Sequence, residues 1–334
     1  MAVPAKPSMK VVSLLESRYD GTEGIKLMAT AFITHADCAK HDMGRTHPES
    51  PARLAAIEDH LISSGLAGLI ERHEAPAAKV SELARVHPLQ YIEAIRQASP
   101  RAGIVHLDPD TAMCPHTWDA ALHAAGAAVL ATDLVIGARA ENAFCAVRPP
   151  GHHATRTRAM GFCLFNNVAV AAKHALEHHG IERVAIVDFD VHHGNGTEDI
   201  FSDDERVVMA SIFQHPFYPY SGAEDAAPNM ANVPLPAGSD GRALRTAVEK
   251  IWMPALDELR PQMIFVSAGF DAHVEDDMAM LRFTEADYAW VTERIKEVAD
   301  KYAGGRIVSV LEGGYALSAL GRSVVTHLKV LGAF

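Results

Sequence analysis

Four short apolar runs in this chain each end in a knot of glycine and ionisable residues. Ala143–Val147 runs into Arg148-Pro149-Pro150-Gly151-His152-His153, and Arg183–Asp188 into Phe189-Asp190-Val191-His192-His193-Gly194-Asn195-Gly196. Met263–Ala268 leads to Gly269-Phe270-Asp271-Ala272-His273, and Arg306–Leu311 to Glu312-Gly313-Gly314-Tyr315. Ala29–Thr34 and Val207–Phe213 are two further runs of the same kind. Near-continuous Val/Ile-rich segments of this length suit strands buried on both faces of a parallel sheet. Helical punctuation separates them. Pro51 opens a stretch with Leu54, Ile57 and Leu61 on one face, stopped at Gly65; Asn166 caps Val168–His179; Thr284 with Asp287 forms a capping box before Tyr288–Tyr302. Pro254 is expected to kink or divide a helix around Ala243–Leu259. This alternation predicts an α/β fold, a three-layer α/β/α sandwich around a mainly parallel sheet. Ligands of open α/β sheets bind outside the carboxyl ends of the strands, so the four knots are expected to meet in one crevice.

No composition break or repeat divides the 334 residues. One domain is expected over 28–334, preceded by an N-terminal extension over 1–27. The formal charge of -12 argues against a nucleic-acid partner, which would need a basic face. It is compatible with cationic substrates such as basic peptides or polyamines. Cys38, Cys114, Cys145 and Cys163 are scattered, which fits a reducing compartment and gives no thiolate zinc site. With no signal-like segment and no 18-residue apolar stretch, the expectation is a soluble cytoplasmic protein with no membrane partner.

In an extended segment Asp188, Asp190 and His192 project to one side, while Phe189 and Val191 face the other. Three such groups fit a divalent cation or a proton network. A metal site needs a third ligand, for which Asp271 is the best candidate, and an Asp-His-Asp set leaves a fourth position open, as in catalytic zinc sites. His152 and His153 are placed to take a proton from water and deliver it to a leaving amine. Tyr315, in its Gly-Gly turn, can donate a hydrogen bond to a developing oxyanion. Among the remaining polar residues, His178-His179 reads as a cationic helix C-terminal cap. Glu275-Asp276-Asp277 reads as a solvated loop. His215 and His273 lie near the expected mouth, and Asp108 or Asp110 is a candidate for its rim.

The chain resembles the histone deacetylase superfamily, on its class II and bacterial deacetylase-like side. The segments that carry the resemblance are His47–Leu54, Arg148–His153, Gly161-Phe162-Cys163, Asp188–Thr197, Ser267–Asp271 and Glu312–Tyr315, in the family's order. The resemblance implies the arginase/deacetylase fold and one catalytic Zn²⁺ on Asp190, His192 and Asp271. It implies hydrolysis of the amide of an acylated lysine peptide or small acyl-amine by metal-activated water. His153 would be general base and acid, His152 an electrostatic partner held by Asp188, and Tyr315 the carbonyl polariser. It further implies a substrate tunnel lined by Gly151, Gly161, Phe162, Tyr218 and Met278. A K⁺ or Na⁺ site would use Asp188, Asp190, His192, Ser211 and Ile212, Arg53 would line an acetate exit channel, and a homo-oligomer is compatible with the family. Asn195 replaces the aspartate of class I members, so His153 is expected to be less basic than there. Met278 stands where a polyamine-selective branch carries a glutamate, which weakens the alternative of an acetylpolyamine amidohydrolase. An arginase-like two-metal ureohydrolase lacks its extra carboxylates here, at Gly194 and His273. A non-catalytic acyl-ligand binder would be expected to have lost Tyr315 or a metal ligand.

Overall fold

The strands, in chain order, are β1 (Ala31–Thr34), β2 (Glu71–Glu74), β3 (Val105–His106), β4 (Ala112–Met113), β5 (Ala143–Cys145), β6 (Val184–Asp188), β7 (Val207–Gln214), β8 (Met230–Leu235), β9 (Met263–Ala268) and β10 (Ile307–Leu311). This computed structural model describes residues 30–224 and 226–334, and the extension expected over 1–27 lies outside them. β3 and β4 form a small antiparallel hairpin, while the other eight make one parallel sheet of order β2-β1-β5-β10-β9-β6-β7-β8. All six predicted strands form, with ends within two residues of those expected. The two sheet strands not anticipated, β2 and β8, are its edges. An edge strand is covered less completely than a central one, so Glu71-Arg72-His73-Glu74 has no apolar run to betray it.

Alternate strand residues feed two cores. Ala143, Cys145, Val184, Ile186, Val308 and Val310 face one layer, with the helices Thr117–Ile136 and Asn167–Glu177. Phe144, Ala185, Val187, Ile264, Val266 and Ile307 face the other, with the helices Ala52–Ser63, Glu285–Val298 and Leu317–Leu331. Thr117–Ile136 corrects the expectation that no apolar stretch reaches 18 residues. It is long and apolar enough to cross a membrane, but 67% of its most apolar window is buried inside this fold, as a core helix requires.

Local signals act as expected at several helix ends. The Asn166 side chain accepts Ala169 N–H, and Thr284 with Asp287 makes the reciprocal capping box. Pro254 sits at the start of the helix Met253–Leu259, and the helix Gly241–Ala247 reaches it through a π turn, Val248–Trp252. The Met253 N–H bonds back to Val248 O rather than to residue 249, so the lost proline donor is absorbed by widening the preceding turn.

His327, on the helix Leu317–Leu331, is fully buried against the helix Glu285–Val298 and β10 within one layer. Thr292 Oγ1 donates to Tyr288 O, so it accepts from His327 Nδ1 at 2.7 Å, and Ser309 Oγ donates to Nε2 at 2.9 Å. Burial holds its pKa down to about 3. A histidine depressed in the folded state favours folding fully above its unfolded pKa, near 6.5, and loses that contribution as pH falls toward 3. The ring resonances of His327 are therefore expected to stay at neutral-imidazole shifts in NMR titrations down to about pH 5. A midpoint near 6.5 would refute this buried neutral state.

Candidate active site

The strands that end in polar knots, β5, β10, β9 and β6, are contiguous in the sheet. From β6 the next strand lies to one side, and from β9 the next lies to the other, so the topological switch falls between β6 and β9. Asp190 and His192 follow β6, and Asp271 follows β9. Sheet order alone brings these three to one point.

His192 Nδ1 lies 3.1 Å from Asp190 Oδ1 and 3.2 Å from Asp271 Oδ2. All three residues are buried, and their ligand atoms fall within 4.8 Å of one another. Backbone donors aim the carboxylates: Gly313 N–H on Asp190 Oδ2 at 2.8 Å and Val191 N–H on Asp271 Oδ1 at 3.0 Å. Asp271 Oδ2 is buried without a hydrogen-bond partner. Burial, then the charge of Asp190, pushes Asp271 up to about 6. Against its own burial, His192 is drawn up to about 9 by Asp190 and Asp271. Two carboxylates and one imidazole with an orphaned oxygen fit a divalent ion of the zinc type. A side chain at Gly313 would run into the carboxylates of both Asp271 and Asp190, so only glycine can close over this point.

Asp188 does not join that triad. Its Oδ2 meets His152 Nδ1 at 3.0 Å. Burial pulls His152 down, but Asp190 and Asp188 together outweigh it and lift the ring to about 10, so this pair holds its proton on the imidazole. His153 is the opposite case. Burial, then the positive His152 and His192, hold it well below the usual histidine range. Asn195 Oδ1 is 2.8 Å from His153 Nδ1, and Asn195 Nδ2 is turned to Met160 Sδ. The amide oxygen can only accept, so Nδ1 carries the proton and Nε2 keeps its lone pair. Gly161, at φ 57°, packs against the His153 ring so closely that a Cβ would collide with it.

A cavity of about 300 Å³ reaches this centre, lined by Asp110, Pro150, His152, His153, Gly161, Phe162, His192, Phe217, Tyr218, Met278, Gly313 and Tyr315. Of the expected tunnel residues, Gly161, Phe162, Tyr218 and Met278 are on its wall. Gly151 is not. It lies behind the wall, where its N–H donates to Glu312 Oε2 at 2.7 Å, and Pro150 takes the lining position. Asp110 lines the cavity, whereas Asp108 is spent on the N–H groups of Asp110 and Thr111. Phe217 was not anticipated; its ring stacks on His192 at 5.5 Å, opposite the edge of Tyr218 on His153 at 5.2 Å. Its adjacency to Tyr218 was the available signal. Arg53 is fully buried behind Tyr315, on Glu49 at 3.0 Å and Gly314 O at 2.7 Å, with its guanidinium 4.9 Å from the Tyr315 ring. Ser211 pairs in register with Asp188, Ile212 follows it on β7, and Ser211 Oγ is buried without a partner, as a cation ligand would be.

Two expectations about peripheral residues are corrected. Asp276 is no solvated-loop residue: it is 5% exposed and accepts the N–H groups of Tyr315 and Ala316. His179 is not a free cap. It and His174 each place Nε2 2.7 Å from Asp133 Oδ1, and these bonds outweigh burial to hold Asp133 down to about 2. Arg85 donates to His174 Nδ1 at 3.0 Å, so Nε2 must carry the proton. A metal there would need an imidazolate, and the cluster is a hydrogen-bond network instead. His273 is buried beside Glu285, and neither it nor His215 lines the cavity.

The histone deacetylase domain matches residues 47–331. The chain is 40% identical over 277 residues to the histone deacetylase-like amidohydrolase of Pseudomonas aeruginosa, spanning 81% of this chain and 73% of that one. It is 37% identical to a probable deacetylase of Archaeoglobus fulgidus, over 92% and 86% of the two chains. It is 36% identical to the polyamine deacetylase HDAC10 of Mus musculus, over 91% of this chain and 48% of that one. The crystal structure of the HDA15 HD domain superposes with a TM-score of 0.85 at 32% identity, covering 91% of this chain and 88% of that one.

Proposed function

Because the chain belongs to the histone deacetylase family of hydrolases, we propose that it is a zinc-dependent cytoplasmic deacetylase acting on N-acetyl-lysine or related acyl-amines. One observation carries the reading: His192 of the Asp190/His192/Asp271 triad, a lone-pair-bearing His153 and Tyr315 all line one cavity. Asp190, His192 and Asp271 would hold a zinc ion, which when bound would supply Lewis-acid polarisation of the acyl carbonyl and lower the pKa of the attacking water.

The protein's own groups do the rest. Phe162, Phe217 and Tyr218 give the aliphatic stem of the substrate an apolar sleeve. His153 Nε2 takes the proton from the attacking water and returns it to the departing amine. His152, kept cationic by Asp188 and Asp190, opposes a permanent charge on His153 and so keeps it ready to accept. Burial keeps the Tyr315 phenol protonated well above neutral pH, so it donates to the oxyanion of the tetrahedral species. Ser211 Oγ with Asp188 is the proposed foothold of a monovalent ion beneath the triad.

His153→Ala is expected to lower turnover about 100-fold without loss of fold. A rate within about threefold of wild type would remove His153 from the proton path. The likeness to a polyamine deacetylase makes N-acetylpolyamines the second reading. Against it, Met278 contributes no charge, and among the described residues Asp110 is the one carboxylate on the cavity wall. The deciding experiment sets acetyl-lysine and longer acyl-lysine peptides beside N-acetylputrescine and N-acetylspermidine on zinc-loaded protein. Lysine peptides should be preferred and a chelator should abolish turnover. Chelator-resistant activity would reject the metal assignment, and polyamine preference would reject the lysine one.

A further inference from the structure

Tyr315 follows two glycines, Gly313 and Gly314, the second at φ 121°, a backbone that by itself defines the direction of the next side chain poorly. The peptide unit joining Gly314 to Tyr315 is nevertheless gripped at both ends. Arg53 Nε donates to its carbonyl, Gly314 O, at 2.7 Å. Asp276 Oδ2 accepts its N–H, Tyr315 N, at 2.6 Å, and the next N–H, Ala316 N, at 2.9 Å. Bonds to opposite ends of one plane fix its rotation, and the Tyr315 Cα lies in that plane. Asp276 is itself held, with Oδ1 on Met278 N–H at 3.0 Å and its own N–H on His273 O at 2.9 Å. The same carboxylate thus ties the phenol's backbone to Met278 on the cavity wall. Ala316 caps the helix Leu317–Leu331 without a side-chain cap of its own, so these two N–H groups depend on the remote carboxylate.

We propose that Asp276 is a positioning residue for Tyr315, setting the phenol against the acyl carbonyl without touching the substrate. The proposal rests on the deacetylase reading for its kinetic consequence, but the clamp itself is measurable without turnover. The experiment compares wild type, Asp276→Ala and Asp276→Asn, each with Tyr315 and in the Tyr315→Phe background. Displacing a catalytic group by about 1 Å costs on the order of 100-fold, so Asp276→Ala should lower kcat by about 30- to 100-fold with KM nearly unchanged. Asn retains one acceptor oxygen, so Asp276→Asn should retain more of the rate. In the Tyr315→Phe background, with no phenol left to misplace, Asp276→Ala should cost less than about threefold more. An equal loss in both backgrounds would overturn the proposal, since Asp276 would then act through something other than the phenol. Should Asp276→Ala fail to fold, Asp276→Asn carries the same comparison. Amide hydrogen exchange gives the turnover-free arm: Tyr315 and Ala316 should exchange at least about tenfold faster in Asp276→Ala, and by a smaller factor in Asp276→Asn. Unchanged protection would overturn the clamp even in an active enzyme. If no acyl-amine is turned over but exchange rises as stated, the clamp stands and the functional reading falls.

Discussion

Tyr315→Phe is expected to lower turnover by about 100- to 1,000-fold, the usual effect of removing one donor from an oxyanion site. The substitution takes away a single hydroxyl. The ring keeps its contact with the Arg53 guanidinium and its edge-on packing against Phe162, 6.0 Å between centroids. Gly314 O and the Tyr315 N–H keep their partners, because those bonds are made by backbone. The melting temperature and the zinc content should therefore match wild type, with KM changing little. This separates chemistry from folding: steady-state kinetics should move while calorimetry and metal analysis stand still. A variant retaining more than a fifth of the wild-type kcat would show that the phenol is not the carbonyl's partner.

The residues that could be read in advance share one physical property. Asp190, His192, Asp271 and Tyr315 each follow a strand buried on both faces, and such strands announce themselves as unbroken apolar runs. Once the runs are found, parallel topology determines that their carboxyl ends lie on one side. What escaped notice depends on side-chain partners brought from far along the chain. Asp276 sits between Glu275 and Asp277, both exposed, and nothing local distinguishes it from them. Its burial comes from N–H groups 39 and 40 residues away. Gly151 illustrates the converse. It lies in a recognisable segment, but whether it or Pro150 faces the cavity is decided by Glu312, 161 residues on. The two edge strands were missed because half-covered segments need no apolar pattern.

Asp271→Asn should abolish turnover, by more than about 1,000-fold if the metal's contribution to the barrier is several kcal/mol. The change is isosteric, and Oδ1 can still accept the Val191 N–H. At the other oxygen position, 3.2 Å from His192 Nδ1, an amide NH2 would replace the anionic oxygen that a metal needs and offer no lone pair in its place. Two thermal consequences follow. Metal-free wild type confines Asp271 beside Asp190, which contributes to raising its pKa to about 6, so removing one carboxylate relieves repulsion and should raise the metal-free melting temperature. On the proposed reading the folded triad holds zinc, so adding it should raise the melting temperature of wild type in a concentration-dependent way and leave that of the variant flat. Equal zinc-induced shifts in the two proteins would place the metal elsewhere, whatever the rates, and the triad would revert to a proton network.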